Sequence, residues 1–248
     1  MTSTLYSIRF SPWSLKARCA LRHHGIEPQL IEYKPLVDEL PMRWRLRKFS
    51  GRLTVPVLST DDGVYTDSFD IARYADRVGS GSPLIPSEQA QAVADWNARS
   101  ERLASAARAR TLIRSLDSPE SLRESLPRAL ASLPVAMARG TTRLFCAKYG
   151  IRADDYDAHG EVVRQELDAL RAALASGGDY LLGDLSYADF VMGIALQLVQ
   201  PLPESPMGPA SMRVSTEPEL IAAYPEVFAW RDRLHARHGL LPQRKRKS

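Results

Sequence analysis

The chain has 248 residues, 44% of them hydrophobic and 25% charged, an ordinary globular composition that argues against global disorder and suffices for one large domain or two small ones. It shows no apolar run long enough to cross a bilayer and no leader-like order at its start, and its two cysteines, Cys19 and Cys146, have neither a CxxC spacing nor a His-rich partner segment, so no disulfide framework, metal site or spanning helix is expected. The formal charge of +4 equals the four consecutive cations Arg244, Lys245, Arg246 and Lys247, which leaves a near-neutral body, a cytoplasmic location as the default, and neither nucleic acid nor membrane as an expected partner.

Residues 5–8 read as a short apolar strand and residues 15–23 as a helix, with Ala17, Ala20 and Leu21 at core-facing spacing. Between them stands Phe10-Ser11-Pro12-Trp13-Ser14. This turn places hydroxyls at a helix start, where unpaired N–H groups and a partial charge of roughly +0.5 favour an anion. On these residues alone, a helix cap at Ser11 with Pro12 at the first helical position is the simpler reading. Gly25 stops the helix and residues 29–33 resume an extended pattern, so the order strand, helix, strand predicts parallel neighbours in one sheet. Residues 34–52 turn basic and irregular, a solvated helix or loop anchored by Trp44 and Phe49.

Thr54-Val55-Pro56-Val57-Leu58 is a short apolar strand with a proline near its head, where the missing N–H costs no ladder bond. Asp61-Asp62-Gly63 then predicts a hairpin, with an Asp-Gly turn or a three-residue loop. Asp67 or Ser68 opens the next helix, whose apolar stripe is Ile71, Ala72, Tyr74 and Ala75. A cap explains that pair; an acid beside free N–H groups equally suits an amino acid's ammonium and carboxylate. Residues 79–86, rich in Gly, Ser and Pro, read as a linker.

Beyond it the pattern is helical throughout. Ser87 is expected to cap a long helix over 88–116, and Ser118-Pro119-Glu120 starts another. Pro127 and Pro134 divide residues 120–149 into two helices or one kinked one, and an amphipathic helix over 154–176 ends at Gly177-Gly178. Ser186-Tyr187-Ala188-Asp189 is a capping-box pattern before the apolar run 190–199, a core helix. A proline-rich loop at 201–209 precedes a last helix over 224–237 around Val227, Trp230 and Leu234.

In this order the turn Ser11-Pro12-Trp13-Ser14, the segment Val55-Pro56-Val57-Leu58, Asp67-Ser68 opening a helix, and Gly183-Asp184 before Ser186-Tyr187-Ala188-Asp189 resemble the cytosolic glutathione transferases. The resemblance implies a thioredoxin-like α/β domain at residues 1–80, a linker at 81–86, and an all-helical domain at 87–248. It implies glutathione as substrate, with a hydroxyl at Ser11 donating to the sulfur and Ser14 as the rival for that role; the thiolate is the reactive form, so lowering the thiol pKa raises activity. Val55, before what would be a cis Pro56, is implied to pair with the cysteinyl backbone, Asp67 and Ser68 to hold the γ-glutamyl end, and Trp13 to wall a hydrophobic electrophile. Relatives often carry Lys or Gln where Leu53 and Thr54 stand, so Arg52 is the substitute contact. A homodimer serving detoxification follows from the family. The alternatives are a glutathione-dependent cis–trans isomerase of the maleylacetoacetate type and a noncatalytic binding or assembly module. Serine at both cysteine positions of the turn disfavours disulfide chemistry, and Cys19 is expected to be a small apolar core residue.

Overall fold

The computed structural model describes residues 3–34, 37–47, 50–51, 53–126 and 134–241. Phe49, Arg52, Pro127 and the basic tail, on which expectations fell, lie outside the described residues. The chain begins β1 (Thr4–Ser7), α1 (Pro12–His23), β2 (Gln29–Glu32), α2 (Glu39–Leu46), β3 (Val57–Thr60), β4 (Gly63–Tyr65) and α3 (Ser68–Val78). The four strands form one sheet in the order β2-β1-β3-β4, with β1 and β2 parallel, as strand, helix, strand predicted, and β3 antiparallel to both β1 and β4. Neighbouring residues in a strand point to opposite faces. Leu5 and Leu58 accordingly join the large core built by α1 and α3, while Tyr6 and Val57 join a smaller cluster with Tyr33, Leu53 and Met42 beneath α2.

The helical half runs α4 (Ala90–Leu116), α5 (Pro119–Glu124), α6 (Val135–Tyr149), α7 (Tyr156–Leu174), α8 (Tyr187–Ala195), α9 (Pro209–Ser215), α10 (Pro218–Ala223) and α11 (Pro225–His238). Every residue of α8 is buried, as its all-round apolar sequence requires. Its start is held by Asp189, whose carboxylate accepts from the Ser186 N–H (2.9 Å), the Ser186 hydroxyl (2.9 Å) and the Leu181 N–H (2.8 Å). The two halves meet where the Tyr187 hydroxyl donates to Ser68 O at 3.0 Å, where α8 packs on α1, and where side chains of α1 reach Ser100 and Glu101 of α4.

Several local expectations need correction. Trp44 is no anchor: it is 73% exposed, and Met42, two positions earlier on the opposite side of α2, is the residue that enters the core. Thr54 and Val55 stand outside the strand, because the β1–β3 ladder ends at the Tyr6↔Val57 pair. The hairpin loop is Asp61-Asp62, with Gly63 already paired to Thr60 as the first residue of β4 at a φ of 146° that favours glycine, and Thr60 Oγ1 accepts the Asp62 N–H. Ser87 does not cap α4. It opens a 3-10 turn and its hydroxyl donates to Glu88. The sequence reading also missed α9 and α10, two short helices begun by Pro209 and Pro218 at their first positions.

Candidate active site

The centre of the site is the turn from β1 into α1. Ser11 closes it through its backbone, its N–H donating to Ile8 O at 3.2 Å and its carbonyl accepting from Leu15 at 2.9 Å. It is the N-cap of α1 by position and backbone angles, yet its hydroxyl makes no capping hydrogen bond, and Pro12 follows at the first helical position. No acidic residue lies in the first turn of α1 to neutralise the field there. Ser14 has the opposite character. It is fully buried, and its Oγ accepts the Ile8 N–H at 3.0 Å, so it ties the strand end to the helix. The two serines of the turn therefore divide into one engaged in structure and one with an uncommitted hydroxyl.

Trp13 is half-buried and fixed on two sides: its indole N–H donates to Glu101 Oε2 at 2.5 Å, and the Arg108 guanidinium lies 4.7 Å from the ring centroid. The same guanidinium lies 4.2 Å from the centroid of the Tyr149 ring, so α1, α4 and the end of α6 converge beside the turn. Lys16 is fully buried, with its ammonium on Glu101 Oε1 at 2.6 Å and Ser100 Oγ at 2.9 Å. Burial pushes the Lys16 pKa down, and Glu101 and, more weakly, Asp67 oppose that shift. Glu101 thus holds Trp13 and Lys16 together. Lys16, Glu101 and Arg108 were not singled out in the sequence; the available signal was a lysine four residues before Ala20, on the stripe that α1 turns to the core.

The Val55–Pro56 peptide bond is cis, and Val55 follows Leu53, which is 3% exposed and belongs to the cluster beneath α2. Asp67 caps α3, its Oδ1 accepting the Phe69 N–H at 2.7 Å, and Ser68 is the first, largely buried residue of that helix. Arg52 lies outside the described residues. Cys19 is buried with its thiol toward Leu240 O, and burial raises its pKa. That makes it a poor thiolate.

The family models for the glutathione S-transferase N-terminal and C-terminal domains match residues 10–78 and 153–233, together more than half of the chain. The chain belongs to the glutathione S-transferase family. Solved structures of this family share the fold over essentially the whole length. A glutathione S-transferase from Methylobacillus flagellatus with glutathione bound superposes with a TM-score of 0.63 at 17% identity, covering 98% of this chain and 100% of that one. The β-etherase LigF of Sphingobium sp. strain SYK-6 does so with a TM-score of 0.64 at 23% identity, covering 97% of each chain. A transferase from Methylobacterium radiotolerans in complex with glutathione sulfonate gives 0.62 at 17% identity over 100% of this chain and 99% of that one. No curated sequence relative matches the chain. The thioredoxin-like sheet domain followed by a helical domain is thereby the family's architecture, as the resemblance implied.

Proposed function

We propose that this glutathione S-transferase family member is a glutathione-conjugating enzyme of the serine type, with Ser11 donating a hydrogen bond to the glutathione sulfur. The observation that carries this reading is the uncommitted Ser11 hydroxyl at the start of α1, beside a Ser14 whose hydroxyl is already used by Ile8. A neutral donor and the helix N-terminal field both favour thiolate over thiol. The thiolate attacks an electrophilic carbon, a C–S bond forms as the leaving group departs with its electron pair, and the thiol proton passes to water. Val55, beyond the β1–β3 ladder, supplies backbone groups to the cysteinyl part. Asp67 and Ser68 receive the γ-glutamyl end at the first turn of α3, and Trp13 with Arg108 walls the electrophile. Neighbours with glutathione or glutathione sulfonate bound support the choice of thiol. The protein acts as a cytoplasmic homodimer in this reading, which light scattering tests.

The test compares the parent with Ser11→Ala and Ser14→Ala by calorimetric glutathione binding, ultraviolet difference absorbance of bound thiolate, and conjugate formation with a panel of aromatic halides and ethers. A higher thiol pKa in Ser11→Ala alone supports the assignment; an unchanged one overturns it. One observation favours a second reading, a noncatalytic module of this fold. Leu53, at a position where relatives contact glutathione, is turned into the core. No glutathione binding by the parent selects that reading.

A further inference from the structure

The arginines in the second half of α4 are of two kinds. Beyond Glu101 the helix carries Arg102, Arg108, Arg110 and Arg114 and no further acid. Arg102 pairs with Glu166, and Arg110 and Arg114 pair with Glu217, so these three fasten α4 to its neighbours in the helical half. Arg108 is set between aromatic rings, its guanidinium 4.7 Å from the Trp13 centroid and 4.2 Å from the Tyr149 centroid. Arg108, Trp13 and Tyr149 are each partly exposed. A cation is thereby fixed beside the indole that stands two residues beyond Ser11.

The charges next to this stack leave a positive excess. Each oxygen of Glu101 already accepts a hydrogen bond, Oε2 from the Trp13 indole at 2.5 Å and Oε1 from the Lys16 ammonium at 2.6 Å. Glu101 and Lys16 offset one another, and Arg108 adds a charge that no pH in the working range removes. Ring faces hold a guanidinium without neutralising it, so the charge acts beside the turn whatever else its N–H edge meets. Trp13, fixed at its edge by Glu101 and on one side by Arg108, is a rigid wall. Such a wall suits a planar ring, and the cation at its side suits an acidic group on that ring.

We propose that the electrophile is an aromatic acid, its ring beside Trp13 and its carboxylate facing Arg108, which makes Arg108 the residue that selects the substrate. This rests on the reading of Ser11 as donor to the glutathione sulfur. With an aryl chloride, the sulfur bonds to the ring carbon, chloride leaves with the C–Cl electron pair, and the carboxylate is unchanged. Because that carboxylate carries the same charge before and during the reaction, Arg108 acts on KM more than on kcat. A neutral electrophile of the same shape gains little from the cation, and a cationic one is repelled.

The test pairs 4-chloro-3-nitrobenzoate with 4-chloro-3-nitrobenzamide, each rate divided by its uncatalysed rate with glutathione. The parent is expected to favour the acid about tenfold in kcat/KM, chiefly through KM. Arg108→Leu is expected to remove that preference and Arg108→Lys to retain part of it, with urea unfolding confirming that each variant is folded. Calorimetry without glutathione gives a second reading: 3-nitrobenzoate binds more tightly than 3-nitrobenzamide, less so at high salt, and the difference vanishes in Arg108→Leu. Equal treatment of acid and amide by the parent overturns the proposal. So does an acid preference that survives in Arg108→Leu, or a folded Arg108→Leu that loses acid and amide alike, which makes the stack packing alone. Conjugation without acid preference sinks this proposal and leaves the Ser11 reading standing; acid-selective binding without conjugation supports the Arg108 assignment and overturns the Ser11 reading.

Discussion

The two serines of the β1–α1 turn make opposite predictions. Ser14→Ala removes the acceptor of the Ile8 N–H, and a partly buried donor left unpaired costs about 1–2 kcal/mol, so urea unfolding shifts to lower concentration while the thiol pKa of bound glutathione stays put. Ser11→Ala is expected to change stability by less than about 0.5 kcal/mol and to lower kcat/KM roughly 10- to 100-fold, the range of one hydrogen bond to a charged group. The sequence named both serines, because each is a hydroxyl at a helix start. Only the fold distinguishes them, since the choice depends on where Ile8 ends the strand. Lys16 and Glu101 were illegible for a related reason: they are 85 residues apart, and nothing local marks a lysine that is buried by a distant helix. Glu101→Ala leaves the Lys16 ammonium buried with only Ser100, and is expected to cost about 2–3 kcal/mol by chemical denaturation, discounted for the 38% exposure of the Glu101 side chain. Lys16→Met combined with Glu101→Gln is expected to cost less than Glu101→Ala alone, because no unpaired buried charge remains.

At the level of elements, legibility followed the strength of the local pattern. α8 was visible from Ser186, Asp189 and an unbroken apolar run, and the hairpin from its turn residues, because in each case the short-range signal and the tertiary setting agree. α9 and α10 were hidden because six or seven residues carry too little periodicity, and a proline-rich approach reads as a loop whether or not a proline starts a helix. The importance of the α8 start can be measured. Asp189 is fully buried, and burial raises its pKa although three donors and the helix N-terminus favour its charge. Asp189→Ala leaves the Leu181 and Ser186 N–H groups without their acceptor, and the expected loss is about 3 kcal/mol or more in equilibrium unfolding, with Asp189→Asn intermediate.

Across the whole molecule, the junction of the two halves is built around histidines. His24 is buried with Nε2 at 2.5 Å from Asp76 Oδ1, and Asp76 in turn accepts the Leu84 and Ile85 N–H groups. His23 meets Ser82 O, and His238 meets the Tyr180 hydroxyl. Burial lowers the pKa of His24, outweighing Asp76, and lowers that of His238, where His23, Arg237 and Arg22 act in the same direction. Both imidazoles are therefore harder to protonate in the folded chain than in the unfolded one. Their contribution to stability is complete above an unfolded pKa of about 6.5 and is lost as pH falls toward the lower folded values. The midpoint of urea unfolding is expected to fall between pH 7.5 and 5.5, and less steeply in His24→Gln; equal slopes in parent and variant would exclude His24 as the source. Nothing local in the sequence marks that His23 and His24 at the end of α1 gather with His238 of α11 around Phe190.

The 27 residues of α4 form a single rod of about 40 Å. Glu101 and Arg108 on this rod hold Trp13 beside the β1–α1 turn, while Arg110 and Arg114 grip Glu217 and Tyr156 on its far side. The segment 203–207 hangs outside that frame. Before it, Arg231 holds the carbonyl and side chain of Gln200, and after it Glu124 accepts the N–H groups of Ala210 and Ser211. Both moorings belong to the scaffold, and between them the attachments are slight: the Ser205 N–H donates to Leu202 O at 2.9 Å and the exposed Glu204 lies 3.8 Å from His235 Nε2. A label or a short insertion there is expected to leave the rod in its setting against Trp13 and Lys16, at the cost of little more than the exposed Glu204–His235 pair.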